Sequence, residues 1–158
     1  MMNIAIYPGS FDPFTNGHLD ILNRACAVFD EVVVLVAINS SKNTFFSLQE
    51  RVECLKKVLA DHPKVKVDSY EGLTVDYAKK VGAKHIIRGL RAVTDFEYEF
   101  QLASANRFAS PGIDMVFFMA SAENSFVSSS VVKELYRNGA DISPLVPSEV
   151  LKAFTSKK

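Results

Sequence analysis

The chain has no excess of charge of either sign: eighteen Lys and Arg face eighteen Asp and Glu, for a formal net charge of zero at pH 7. No block of like charge runs along it either, which argues against a general nucleic-acid or membrane-surface role. Long apolar runs are also missing. The longest uncharged one, Val32 to Ile38, is far too short to cross a bilayer, and the N-terminus lacks the basic start and apolar stretch of an export leader, so a cytoplasmic protein is expected. Cysteine is scarce. Cys26 and Cys54 occupy apolar positions of helical patterns and read as buried thiols, not as a disulfide or metal pair, in keeping with a reducing compartment. The seven glycines build neither G-x-G-x-x-G nor G-x-x-x-x-G-K-[ST], so hydride transfer and P-loop hydrolysis lose support. His18, His62 and His85 lie far apart without a cysteine or carboxylate at ligand spacing, and no metal site built by the protein itself is expected. Ser130-Val131-Val132-Lys133 matches S-x-x-K without its companion motifs, and Gly9-Ser10-Phe11 does not complete G-x-S-x-G, which discounts a covalent serine nucleophile.

With 158 residues, 48% of them hydrophobic, the chain is the size of one domain, residues 1–158, with a real core. Apolar strands alternate with amphipathic helices. Strands are predicted at Asn3 to Tyr7, Val32 to Ile38, Val65 to Ser69, His85 to Ile87 and Met115 to Met119. Helices are predicted at His18 to Phe29, Leu48 to Ala60, Val75 to Val81, from Thr94 to about Phe108, Ser129 to Asn138, and from about Pro147 onward. Ser47 with Glu50, and Thr94 with Glu97, are spaced as capping boxes. Such alternation implies right-handed crossovers and a doubly wound, Rossmann-like parallel sheet with helices on both faces, which explains why Val32 to Ile38 is continuously apolar.

In such folds ligands sit beyond the carboxyl ends of the strands, and the polar clusters Gly9 to His18, Asn39 to Lys42, Arg88 to Arg91 and Ser121 to Ser130 all fall there. The first cluster belongs to the run Tyr7-Pro8-Gly9-Ser10-Phe11-Asp12-Pro13-Phe14-Thr15-Asn16-Gly17-His18, which reads as strand, tight turn and helix start. Its glycines and prolines bend the backbone and aim a helix N-terminus at an anion. His18 adds a side chain able to donate hydrogen bonds beside whatever is held there. The residues left after elimination suit a phosphoryl-type transfer in which the protein supplies position and positive charge and no nucleophile.

The T-x-G-H ending of that run, the segment Ile87-Arg88-Gly89-Leu90-Arg91-Ala92-Val93-Thr94-Asp95-Phe96-Glu97-Tyr98-Glu99 and the segment Ser125 to Lys133 resemble bacterial phosphopantetheine adenylyltransferases, over essentially the whole chain. The resemblance implies that the phosphate of 4′-phosphopantetheine attacks the α-phosphorus of ATP in line, giving dephospho-coenzyme A and pyrophosphate, with Mg²⁺ as companion ion. It implies His18, Lys42 and Arg91 as the catalytic set, and acceptor contacts from Ser10, Lys42, Thr74 and Arg88. For ATP it implies Ser10, Phe11, His18, Gly89, Leu90, Arg91 and Glu99, together with Asn124, Ser125, Phe126, Val127, Ser128, Ser129 and Ser130. It further implies a homohexamer and coenzyme A as a feedback ligand. The helix carrying Phe96, Tyr98, Phe100 and Leu102 is apolar on more than one face, which agrees with burial against another subunit.

Physically, the two anionic reactants repel, and Lys42, Arg88 and Arg91 would offset that repulsion. Lys42 in a polar loop can follow charge as it shifts, Arg88 suits forked static binding, and Ser128 to Ser130 place N–H groups at a helix start. Asn124 and Thr74 depart mildly from the family pattern, and Lys133 stands where related enzymes often have arginine. Two other readings stay open from sequence: a relative that transfers a nucleotidyl group to a different phosphate-bearing acceptor, and a nucleotide-sensing module without turnover.

Overall fold

The computed structural model describes residues 1–157. Five parallel strands, β1 (Ile4–Gly9), β2 (Glu31–Ala37), β3 (Val65–Tyr70), β4 (His85–Leu90) and β5 (Asp114–Met119), form one sheet in the order β3-β2-β1-β4-β5. The helices are α1 (Asn16–Val28), α2 (Leu48–Val58), α3 (Thr74–Val81), α4 (Val93–Ala109), α5 (Ser129–Arg137) and α6 (Ser148–Thr155), with a 3₁₀ turn at Ala122–Asn124. This is the doubly wound α/β architecture that the alternation of elements implies.

The sheet is buried on both sides because β2 feeds two cores. Val32, Val34 and Val36 pack with Leu22 and Ala25 of α1, Leu55 of α2, Val132 of α5 and Phe154 of α6. Val33 and Leu35 point the other way, to Val75, Tyr77 and Ala78 of α3. Each of these aliphatic side chains contributes about 1.5–3 kcal/mol on burial, so a charge anywhere along Val32–Val36 would break one core or the other.

The Ser47–Glu50 capping box forms as the sequence predicts: Ser47 Oγ accepts from Glu50 N and Glu50 Oε2 accepts from Ser47 N. The second expected box does not. Strand β4 runs on through Arg88 and Gly89 to Leu90, and α4 starts at Val93 with Ala92 at its N-cap, so Thr94 lies inside its first turn, exposed. Asp95 takes over at that end, accepting from the Arg91 backbone N–H at 3.0 Å. Cys26 and Cys54 are free thiols but only half-buried. No helix among the described residues is long and apolar enough to cross a membrane.

Candidate active site

The sheet order reverses between β1 and β4, and there the sheet comes apart. Six residue pairs join β1 to β2, from Ile4 to Gly9, but only Ala5 and Ile6 pair with β4. Pro8 has no N–H to give to the ladder. Beyond Ile6 the two strands separate, and a cleft of about 290 Å³ opens between them at the carboxyl ends of the strands. Tyr7, Pro8 and Gly9 line it from β1, and Arg88 and Gly89 from β4.

Two helix N-termini face this cleft. Thr15 caps α1, its Oγ1 accepting from His18 N at 3.3 Å, and Gly17 in the first turn lines the cleft with an N–H that has no acceptor inside its helix. On the far side Ser128 caps α5 through Val131 N, so the N–H groups of Ser129 and Ser130 are left without intrahelical partners. Ser128 and Ser129 line the cleft, with Asn124 and Val127 of the preceding turn. The Ser129 hydroxyl is engaged elsewhere, donating to Pro13 O at 2.7 Å, so this residue offers its backbone to the cleft.

His18 is the third residue of α1, where its ring closes a capping box: Thr15 N donates to Nδ1 at 3.0 Å. Nδ1 is therefore an acceptor, and a neutral imidazole carries its proton on Nε2. The ring is packed among Tyr7, Phe11 and Phe14. Burial, then the charges of Arg91 and Arg88, lower its pKa from 6.5 to about 4. At neutral pH the ring is therefore uncharged and offers a hydrogen-bond donor at Nε2.

Both arginines of the cleft have carboxylate partners. Arg88 Nε and one terminal nitrogen donate to the two oxygens of Glu99 at 2.9 and 2.6 Å. Burial works against the Arg88 charge, and the hydrogen bonds and charge of Glu99 more than offset it, holding its pKa above the ordinary value. Arg91 Nε lies 3.3 Å from Asp95 Oδ2. The guanidiniums are thus held at the wall with donor edges to spare, an arrangement that favours static binding of phosphate oxygens.

The Cytidylyltransferase-like family profile matches residues 6–135, which includes every residue of the cleft. The phosphopantetheine adenylyltransferase of Leptospira biflexa serovar Patoc is 52% identical over 157 residues, covering 99% of this chain and 98% of the relative. The enzyme of that name from Lachnoclostridium phytofermentans is 53% identical over 156 residues (99% and 96%), and that of Clostridium kluyveri 54% over 150 residues (95% and 92%). The chain belongs to the phosphopantetheine adenylyltransferase family.

Of the residues that the family resemblance singles out, the structure brings His18, Arg88, Gly89, Arg91, Glu99, Asn124, Val127, Ser128 and Ser129 to one cleft. The others stand outside its wall. Phe11 is buried beneath it in the left-handed region at φ 48, its ring under Gly9, where a Cβ would sit 3.0 Å from the ring edge. Ser10 gives its carbonyl to Arg51 at 2.7 Å. Leu90 ends β4, Thr74 opens α3, and Ser125, Phe126 and Ser130 are exposed. Lys42 is exposed in a tight turn in which Lys42 N donates to Asn39 O and Asn39 Oδ1 accepts from Ser41. Tyr7, Pro8, Gly9, Thr15 and Gly17 of the anion-holding run and Asp95 of the Ile87–Glu99 segment line the cleft too, though none was given a contact of its own, and Ile21 and Ala120 line it without having been singled out. For Gly17 and Thr15 the T-x-G-H spacing carried the signal.

Proposed function

We propose that this enzyme transfers the adenylyl group of ATP to 4′-phosphopantetheine by direct attack. An oxygen of the acceptor phosphate forms a bond to the α-phosphorus while the bond from that phosphorus to the α–β bridging oxygen breaks. Pyrophosphate leaves with the electron pair, and the other product is dephospho-coenzyme A. The observation that carries this reading is a cleft with two helix N-termini, an Nε2–H donor on His18 and two anchored arginines, all suited to spread phosphate charge. Its hydroxyls are ill placed to act as nucleophiles. The Ser129 hydroxyl donates to Pro13 O, Ser128 caps α5, and burial raises the pKa of Tyr7 well above its ordinary range.

His18 and Arg91 would then face the charge that develops at the α-phosphorus, and Arg88 would hold the acceptor phosphate. Lys42, outside the cleft wall, would reach in from its turn. Mg²⁺ fits this picture as a companion of ATP. Among the described residues no three His, Cys, Asp or Glu side chains converge, and Asp95 and Glu99, the carboxylates in the cleft wall, are already paired with arginine. Coenzyme A shares the pantetheine arm and adenylyl group of the product and would compete for the same cleft as a feedback ligand. The exposed Phe96, Tyr98, Phe100 and Phe108 of α4 support a homo-oligomer, a homohexamer in this reading, and the free thiols suit a cytoplasmic setting.

The test is pyrophosphate release from ATP and Mg²⁺ with 4′-phosphopantetheine, run beside nicotinamide mononucleotide and phosphate-free pantetheine. Release with phosphopantetheine alone is expected. Release with nicotinamide mononucleotide instead would keep the chemistry and change the acceptor, and ATP binding without release would leave a sensor.

A further inference from the structure

Asp12 lies in the turn between β1 and α1, 3% exposed, and its carboxylate holds two other parts of the chain. Oδ1 accepts from Phe46 N at 2.8 Å, and Oδ2 accepts from Phe45 N at 2.8 Å and from Lys133 Nζ at 3.0 Å. Phe45 and Phe46 end the segment that carries Lys42, whereas Lys133 belongs to α5, whose first turn lines the cleft. The rings of Phe45 and Phe46 are held from the opposite side by Phe154 of α6, with centroids 5.1 and 4.9 Å away. The segment is therefore fixed in backbone and side chain at Phe45–Phe46, while Asn39 to Asn43 is exposed. Three residues of chain span at most about 11 Å, so this anchor limits where Lys42 can go.

We propose that Asp12 is a positioning residue that sets the Lys42 turn and the nucleotide-side helix α5 in register, acting on the reaction through Lys42. The proposal rests on the reading given above, in which Lys42 meets the acceptor phosphate. In Asp12→Asn one acceptor oxygen and the charge that holds Lys133 are lost, and the two backbone N–H groups no longer share a carboxylate.

The experiment compares Asp12→Asn, Lys42→Ala and the double variant. Asp12→Asn is expected to lower kcat by about 20-fold or more with the KM for ATP changed by less than about threefold. The double variant should be no slower than Lys42→Ala alone, within about twofold, because both changes act through one group. Losses that multiply, or an Asp12→Asn rate near that of the wild type, overturn the proposal. So does recovery of the rate in Asp12→Asn/Lys133→Met, which would reduce Asp12 to a counter-ion. Amide exchange supplies a readout without turnover. Phe45 and Phe46 should exchange slowly in the wild-type protein and about tenfold faster in Asp12→Asn, or in Asp12→Ser should the first variant fail to fold. Exchange at these amides in the wild type as fast as at Ser41 and Asn43 overturns the anchor. If the wild-type enzyme releases no pyrophosphate with phosphopantetheine, the reaction reading fails, and exchange at Phe45 and Phe46 still decides the anchor.

Discussion

Glu99 is the one buried residue of the seventeen-residue helix α4, and it receives two hydrogen bonds from Arg88 of the neighbouring strand. The helix turns a carboxylate inward and leaves Phe96, Tyr98 and Phe100 outside. The pair fixes the guanidinium at the cleft wall, since Arg88 alone could take many rotamers.

Glu99→Gln should therefore cost both stability and function. The carboxylate side chain is 7% exposed and the guanidinium 27%, so the loss falls below that of a fully buried pair, at about 1–3 kcal/mol. Arg88 keeps its charge and loses its aim, so kcat/KM for the acceptor should fall by about 10–100-fold. Steady-state kinetics alongside urea denaturation check this, and an unchanged kcat/KM would show that Glu99 does not orient Arg88.

The imidazole of His18 takes up its proton near pH 6.5 in the unfolded chain but near pH 4 in the folded protein, because of burial and then Arg91 and Arg88. Between those values the unfolded state binds more protons. The contribution of His18 to stability is thus fully present above about pH 6.5 and is lost as pH falls toward 4, by roughly 2–3 kcal/mol. Denaturant unfolding of wild type and His18→Gln from pH 4 to 7.5 tests the sign: the wild type should lose more stability on acidification than the variant. At neutral pH, His18→Ala should cut turnover by about 100-fold or more while leaving the fold intact, as for other lost donors to a developing anion.

The architecture was legible in the sequence because periodicity reports burial directly. The apolar run Val32 to Ile38 could only be a strand covered on both faces, and β2 feeds two cores. The turn chemistry placed the cleft for the same reason. What escaped was pairing over distance. Nothing near Glu99 announces that Arg88 will hold it, and its aromatic neighbours suggest an apolar contact instead. Thr94-x-x-Glu97 has the spacing of a capping box, yet α4 begins one residue earlier, with Ala92 at its N-cap and Asp95 accepting from Arg91 N, so Thr94 falls inside the first turn. A box the spacing rule does not flag, Thr15 with His18, forms with a ring nitrogen where the usual pattern has a carboxylate. Lys42 illustrates the remaining gap, since its place depends on Asp12, thirty residues earlier, binding Phe45 and Phe46.

Exposed aromatic rings on α4 bear on assembly. The rings of Phe96 and Phe100 lie tilted against each other with centroids 5.9 Å apart and are 46% and 59% exposed, an apolar ridge that water should disfavour. Phe100→Glu should shift the protein to a smaller species, seen as a drop in mass by light scattering or sedimentation. An unchanged mass would place the interface on another face.

Lys42→Ala should separate binding from chemistry. Its side chain is exposed and stands outside the cleft wall, on a flexible stem that would bring the charge to the phosphates as the reaction proceeds and leave bound ATP to other groups. Loss of the charge should lower kcat by about 100-fold and leave the Kd for ATP within about threefold. Equal losses in both would mean that Lys42 holds ATP already in the ground state.

Gly17 offers the sharpest contrast between stability and activity. A methyl group there would meet Thr15 Oγ1 at 3.4 Å, Val127 O at 3.5 Å and Asn124 Cβ at 3.8 Å, all ordinary contacts or nearly so, and all with residues of the cleft wall. The folded protein can therefore accept Gly17→Ala without rearrangement. Alanine in the first turn of α1 also reduces the freedom of the unfolded chain, which should raise stability by about 0.5–1 kcal/mol. The same methyl group occupies space beside the N–H that faces the ligand, where close approach of phosphate oxygens needs a bare backbone. ATP affinity should fall by about tenfold or more, measured by calorimetry, while the melting temperature holds or rises. A variant that binds ATP normally would place the triphosphate away from α1 and leave the α5 N-terminus as its anchor.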